Sequence, residues 1–177
     1  PLFLILWFWV LLDSPGGGFY RQIRVGINGK DFKLWKFRTM HIDADKKGLL
    51  TVGGRDPRVT KAGYFLRKYK LDELPQLINV ITGDMSLVGP RPEVRKYVDM
   101  YTAEQLKVLH VRPGMTDYAS IEYMDENEIL AKASQPEQTY VQEIMPAKLK
   151  LNLKYIEEQN FKVDLSIIFR TIKGILR

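Results

Sequence analysis

Residues Leu2 to Leu12 are eleven consecutive apolar side chains, Trp7 and Trp9 among them, and this run sets the first limit on the fold. As a helix it covers about 17 Å against roughly 30 Å of bilayer hydrocarbon, so it does not span a membrane. A helix that is apolar all round must still be enclosed, by protein or by lipid. The favoured reading is a segment that dips into a membrane, and the competing one is a buried core helix. A secretory signal fits poorly, because no basic residue precedes the run and Asp13-Ser14-Pro15-Gly16 follows in place of a small-x-small cleavage site. The chain begins with Pro rather than Met, so residues upstream of Pro1 are expected to have been removed or to lie outside this sequence.

The 177 residues suit one domain with a real core. With no cysteine and only His41 and His110 as histidines, disulfide scaffolds, thiol nucleophiles and Cys/His metal centres are excluded. Any catalytic metal is therefore expected on oxygen ligands. Residues 21 to 70 carry 14 Lys+Arg against 4 Asp+Glu, an excess larger than the whole chain's +6, so the remainder is net acidic. One basic segment of this kind serves nucleic acid, an anionic membrane surface or a phosphorylated substrate.

From Ser14 the pattern becomes β. Ser14-Pro15-Gly16-Gly17-Gly18 breaks the helix, and Phe19–Val25 and Asp31–Arg38 flank Asn28-Gly29, which tolerates the positive φ of a hairpin turn. Period-2 geometry puts Trp35 and Phe37 on one face and Lys36 and Arg38 on the other. Two adjacent cations suit a diphosphate, although the same pattern describes an ordinary solvent face. Gly16 to Gly18 is no Walker loop, because Gly-Lys-Ser/Thr does not follow. Residues 41 to 58, with Gly48, Gly53, Gly54 and Pro57 among charges, read as a long, mobile, basic loop that closes over a ligand. Thr60 is an N-cap for a helix from Lys61 to about Lys70, which carries Arg67.

The most informative stretch is Leu71-Asp72-Glu73-Leu74-Pro75-Gln76-Leu77-Ile78-Asn79-Val80-Ile81-Thr82-Gly83. Pro75 belongs in a first helical turn and Gly83 just past a last one, which places Asp72 at or beside an N-cap. A carboxylate there faces the positive end of the helix, which favours its ionised form as a cation ligand or nucleophile. Glu73 is a second acid at the same mouth, although adjacent acids at helix starts also serve only as cap and first-turn charge. In Gly89-Pro90-Arg91-Pro92 two prolines stiffen the backbone on both sides of Arg91, and Val111-Arg112-Pro113-Gly114 presents Arg112 similarly. Stiffly held arginines suit phosphate, and an exposed structural turn is the plainer alternative.

Together Lys36-Phe37-Arg38-Thr39-Met40, Leu66-Arg67, Leu71 to Gln76, Gly83 to Pro92 and Arg112-Pro113-Gly114 resemble the bacterial sugar transferases, the monotopic phosphoglycosyl transferases that start glycan assembly on a polyprenol phosphate. The resemblance covers nearly the whole chain. It implies transfer of a sugar 1-phosphate from a UDP-sugar to undecaprenyl phosphate with release of UMP. By motif position Asp72 matches the nucleophilic aspartate and Glu73 its paired glutamate, Mg²⁺ being held at this pair. Arg67 matches a phosphate-binding arginine, and Lys36, Arg38, Arg91 and Arg112 are candidates for diphosphate or uridine contacts. It also implies a place on the cytoplasmic face of the bacterial inner membrane, with residues 1–15 as the second limb of a re-entrant helix and residues 16–177 as the transferase domain. Self-association into a homo-oligomer is compatible with this reading.

The expected fold class is α+β: one mainly helical domain with a small β-hairpin and a membrane-dipping hydrophobic N-terminal helix. Residues 137–160 read as helix interrupted near Pro146. A last helix from Asp164 to Arg177 carries a stripe of Leu165, Ile168, Phe169, Ile172, Ile175 and Leu176, expected to pack on the core or to lie on lipid. A non-catalytic membrane-surface protein binding anionic lipid is the alternative, which leaves the Asp72-Glu73 pair without a purpose. A nucleic-acid-binding module explains only the charge, so no nucleic-acid partner is expected.

Overall fold

The apolar run becomes a helix enclosed on one side only. In the structure, a computed structural model that describes residues 1–44, 48, 50–53 and 56–176, helix α1 covers Leu2–Asp13. Leu6 and Val10 are buried against Phe37 and Leu66, with Phe3 and Trp7 partly covered. Leu4, Ile5, Phe8 and Leu12 on the other side remain more than half exposed. Among the described residues no helix is long and apolar enough to cross a membrane. The chain leaves α1 through Gly16 and Gly17, both at positive φ that glycine adopts without strain.

Strands β1 (Phe19–Val25) and β2 (Asp31–Phe37) pair antiparallel, from Phe19↔Phe37 to Val25↔Asp31. Asn28 and Gly29 take positive φ as expected, but the turn adds Ile27 as a third residue, closed by Lys30 N–H donating to the Ile27 carbonyl at 3.2 Å. Phe19 stacks on Phe37 beneath α1 with ring centres 5.6 Å apart. Helix α2 (Lys61–Lys68) begins where Thr60 Oγ1 accepts from Gly63 N–H at 3.0 Å, and Asp13 at the end of α1 accepts from Ala62 N–H at 2.8 Å. Two of the orphan donors at that helix start are thus satisfied, one of them by the apolar helix itself.

A 3-10 turn at Leu71–Glu73 leads to α3 (Gln76–Ile81), then to β3 (Ser86–Val88), α4 (Arg95–Val98), a second 3-10 turn at Gln105–His110 and β4 (Gly114–Thr116). Strands β3 and β4 are parallel, Ser86 opposite Gly114 and Val88 opposite Thr116. Short helices α5 (Tyr118–Glu122), α6 (Glu126–Lys132) and α7 (Pro136–Thr139) precede α8 (Met145–Glu158) and α9 (Phe161–Ile175). A main core gathers Tyr97, Val108, Leu130, Tyr140, Ile144, Met145 and Leu149. The mainly helical α+β class with a small hairpin is what the sequence predicts.

Two expectations are refined. Pro146 does not break the chain's helical course, but the α pattern is interrupted beside it: a π-helical segment at Tyr140–Ile144 runs directly into α8, whose second residue is Pro146. Helix α9 starts earlier than predicted, at an Asn160 cap whose Oδ1 accepts from Lys162 and Val163 N–H. Its inward face is only partly the predicted one. Ile167 is fully buried, Ile168 of the predicted stripe packs against the same cluster and Thr171 bonds Thr116, whereas Leu165, Phe169, Ile172 and Leu176 of the stripe are exposed. Gly54 of the predicted loop and Arg177 lie outside the described residues.

The β3–β4 crossing leaves no room at Gly114, where a Cβ would land on the Gly89 backbone. Gly114→Ala should therefore cost about 1–3 kcal/mol through overpacking. Urea unfolding checks this by a lower midpoint at unchanged m-value; an unchanged midpoint would show that the two strands part freely.

Candidate active site

Lys70 takes a left-handed φ of 54°, which ends α2 and folds the chain back into the 3-10 turn. Asp72 sits inside that turn rather than at a helix cap, since α3 starts only at Gln76 and Asp72 makes no capping bond. It is buried, 7 % exposed. Burial, reinforced by neighbouring Glu73, pushes its pKa up, against the opposing pull of Lys36, Arg67 and Lys70. The helix-dipole argument for a more easily ionised Asp72 is therefore corrected: desolvation outweighs it.

Asn79 aligns this turn with the hairpin. Its Nδ2 donates to Lys33 O at 2.9 Å and its Oδ1 accepts from Trp35 N–H at 3.0 Å, so a helical side chain acts as a strand partner on the free edge of β2. Lys36, the next residue along β2, reaches Glu73 Oε1 at 3.4 Å. A cavity of about 170 Å³ opens at this junction, lined by Lys36, Arg38, Arg67, Asp72, Tyr20 and Thr51 among others. Arg67 Nη2 donates to Thr51 Oγ1 at 2.7 Å. Arg38 lies over the Tyr20 ring, 5.8 Å from its centre, and donates to Gly17 and Phe19 carbonyls. Burial lowers the Lys36 pKa, and Glu73 partly restores it.

Glu73 faces a different set of partners. Arg91 Nη1 donates to its Oε2 at 2.9 Å, and Arg91 Nη2 makes a shorter bond to Oε1. Burial alone would raise the Glu73 pKa, but Arg91 and Lys36 outweigh it and hold the carboxyl well below the usual range. The stiff Pro-Arg-Pro corner thus presents its guanidinium to a protein carboxylate, with further support from Arg91 N–H to Asp117 Oδ2 at 3.3 Å and Arg91 Nη1 to Met115 O at 3.3 Å. Arg112 is exposed and does not line the cavity. The structure therefore gathers Lys36, Arg38, Arg67 and Asp72 around one space, places Glu73 and Arg91 against each other beside it, and leaves Arg112 apart.

Sequence reasoning missed Arg24, Gln22, Thr51 and Asn79. The hairpin pattern held a signal for the first two, because Tyr20 pairs with Lys36 and alternation then puts Gln22 and Arg24 on the same face. Thr51 and Asn79 carry no local signature; each acts across a long stretch of chain.

The bacterial sugar transferase family model matches residues 1–177. The chain belongs to this family. Similar proteins include the UDP-glucose:undecaprenyl-phosphate glucose-1-phosphate transferase of Escherichia coli, 40% identical over 172 residues, covering 94% of this chain and 34% of that protein. The transferase of the same name from Caulobacter vibrioides is 36% identical over 179 residues, covering 99% of this chain and 63% of that protein. The UDP-N-acetylgalactosamine-undecaprenyl-phosphate N-acetylgalactosaminephosphotransferase of Aeromonas hydrophila is 35% identical over 179 residues, covering 99% and 39%. The chain thus spans about a third of the E. coli relative and under two thirds of the other two.

In this member of the family the Glu73–Arg91 pair is open to a direct stability test. Arg91→Ala leaves a largely buried carboxylate with Lys36 alone, which should cost roughly 2–4 kcal/mol. Adding Glu73→Gln should recover part of that loss. A double-mutant cycle by denaturant unfolding reads the coupling, and strictly additive losses would show that the pair contributes none.

Proposed function

We propose that the chain transfers a sugar 1-phosphate from a UDP-sugar to undecaprenyl phosphate, releasing UMP, as the first membrane step of a bacterial glycan assembly. The observation that carries this reading is Asp72. Its carboxylate is buried, accepts no hydrogen bond among the described residues, and opens on a cavity walled by Lys36, Arg38 and Arg67. The named activities of the relatives support it, since all three move a sugar phosphate to undecaprenyl phosphate.

In the proposed first step an Asp72 oxygen attacks the β-phosphorus. The bond from that phosphorus to the oxygen bridging the two phosphates breaks, and UMP leaves with that oxygen. The sugar phosphate is then held as an acyl-phosphate on Asp72. An oxygen of undecaprenyl phosphate attacks the same phosphorus in the second step, and the Asp72 carboxylate departs. Splitting one difficult displacement in two is the gain of covalent catalysis. Lys36, Arg38 and Arg67 offset the charge of the phosphates, with the Arg67 fork suited to two oxygens of one phosphate. Arg112 and Arg91 retain a place in the proposal only if the donor draws them in, since Arg91 is committed to Glu73.

A magnesium ion fits this site through Asp72. No group of three or more metal-ligating side chains occurs among the described residues, and both Glu73 oxygens are taken by Arg91, one of them by Lys36 as well. One free carboxylate suits an ion that completes its shell from substrate phosphates and water. Bound there, Mg²⁺ supplies charge neutralisation between an anionic nucleophile and an anionic donor. Glu73 serves instead as the fixed anion that holds Lys36 and Arg91 in place.

Membrane attachment through α1, on the cytoplasmic face and without spanning, belongs to the same proposal, and so does the division into residues 1–15 and 16–177. It is supported by the exposed Leu4, Ile5, Phe8 and Leu12, apolar surface of the kind that marks lipid or partner contact.

UDP-sugar alone should release up to one equivalent of UMP per enzyme before any acceptor is added, and a sugar-phosphate mass should appear on the peptide containing Asp72. Asp72→Asn should abolish both. Release that requires undecaprenyl phosphate, with no trapped adduct, would favour direct transfer in a ternary complex.

The acid side of the pH profile gives a second test. Asp72 must be ionised to attack, and burial plus Glu73 raise its pKa, so activity should fall off on the acid side at a pH above an ordinary aspartate's ~3.9. Glu73→Gln removes the neighbouring negative charge, which makes Asp72 easier to ionise, so the acid limb of kcat/KM should move to lower pH. An unmoved limb would mean that Asp72 does not sense Glu73.

A further inference from the structure

A second cavity, of about 180 Å³, adjoins the first and has no role in the chemistry described so far. Arg24 and Thr51 line both spaces, and Arg91 lies on the wall of the second, so the two meet beside the Glu73–Arg91 pair. Its lining comes from β1, the Pro-Arg-Pro corner, α6 and α8.

The lining charges are paired. Arg24 holds Glu93 at 3.1 Å, Tyr140 Oη donates to the same carboxylate, and Lys148 holds Glu126 at 2.6 Å. A space whose ions already neutralise each other selects for no net charge, unlike the first cavity with its cluster of cations. It is nonetheless polar, and one group in it is unsatisfied: Asn152, 5 % exposed on α8, has a buried Oδ1 with no hydrogen-bond partner among the described residues. A buried acceptor left open is unfavourable, and a donor on a ligand relieves that cost. Asn127 adds an amide from α6. Its backbone carbonyl anchors Gly53 N–H at 2.9 Å, beside Thr51 at the boundary between the cavities.

Neutral, rich in donors and acceptors, and close to the phosphate site describes a polyhydroxylated ring. The volume equals about six waters at roughly 30 Å³ each, room for one pyranose and far too little for a whole nucleotide sugar. Each sugar hydroxyl both donates and accepts, matching a wall of amides, phenols and fixed ions. We propose that this second cavity seats the glycosyl group of the donor, a neutral pyranose, with Asn152 Oδ1 accepting from a ring hydroxyl or an acetamido N–H, and that Asn152 and Asn127 set which sugar is transferred. The inference rests on the transferase reading above and adds to it the seat of the sugar.

The test uses the intact protein, with UDP-glucose, UDP-galactose, UDP-N-acetylglucosamine and UDP-N-acetylgalactosamine as donors and UDP itself as a sugar-free probe. Asn152→Leu and Asn127→Ala are compared with wild type for kcat/KM of UMP release and for UDP affinity. The ratio between best and worst sugar should shrink by about tenfold or more in Asn152→Leu, and by less in Asn127→Ala, because a pocket built to bond a hydroxyl loses its discrimination when that partner goes. UDP affinity should stay within about twofold of wild type, since UDP carries nothing for this cavity. Should Asn152→Leu fail to fold, as judged by its thermal transition, Asn127→Ala, at a partly exposed position, decides alone. Rates that fall equally for every sugar, or do not fall, would overturn the assignment while leaving the transferase reading intact. A wild-type protein that releases UMP from none of the four would remove that reading, and this inference with it.

Discussion

The arrangement turns on one partly buried ion cluster, Glu73 with Arg91 and Lys36. Each partner comes from a different part of the chain: the 3-10 turn after α2, the proline-flanked corner after β3, and the middle of β2. Taking charges out of water is costly unless they are paired and hydrogen-bonded, so these three segments cannot drift apart without stranding a charge. Arg91 is in turn fixed by Asp117, which is fully buried and also caps α5 through Ser120 N–H. The same cluster separates the fates of two adjacent carboxyls. Glu73 has dedicated cations and stays firmly ionised, whereas Asp72 has burial, a like-charged neighbour and, among the described residues, no hydrogen-bonded partner, which keeps a more basic carboxylate beside the cavity.

Apolar surface is arranged with the same economy of partners. Helix α1 gives Leu6 and Val10 to the protein and is tied at its end by Asp13 accepting from Ala62 N–H, so it is fastened to α2, the helix that carries Arg67. Under the proposed attachment, a lipid-borne acceptor entering beside α1 meets the first cavity rather than the second, because Arg38, which lines the first, bonds Gly17 and Phe19 just beyond the end of α1. Helix α9 repeats the pattern: Ile167, fully buried, and Thr171, partly buried, face inward, and Phe169 and Leu176 face out.

Features governed by neighbours in sequence were legible in it. The hairpin, the Thr60 cap and the break after α1 all depend on local φ, capping or alternation, and all stand in the structure. What escaped depends on distant partners. Arg91 looked like an open phosphate ligand because nothing near it reveals Glu73, eighteen positions away. Asn79 looked like an ordinary helical residue, although it completes the edge of a strand 44 positions away. On α9 an apolar stripe was real, yet periodicity cannot say which of two adjacent stripes meets protein when both have lipid-like side chains. Asp72 was misjudged for a related reason: burial is a property of the folded surroundings, and the local dipole argument is the weaker effect there.

Under the proposed assignment, the two adjoining cavities divide the labour between phosphate chemistry and sugar choice. The hairpin, α2 and the 3-10 turn carry the carboxylate and cations that any phosphate transfer of the proposed kind requires, and their geometry is locked by the ion cluster. The second cavity takes part of its wall from α6 and α8, neither of which lines the first, and the two spaces share Arg24 of β1 and Thr51. Side chains such as Asn127 and Asn152 can therefore change without disturbing the Asp72 environment, whereas Arg24 cannot, being bound to Gln22, Pro92 and Glu93 at once. A family built this way would vary its sugar at α6 and α8 while keeping the turn and hairpin unchanged, and Arg24, touching both spaces, is where a change made for selectivity would begin to cost rate.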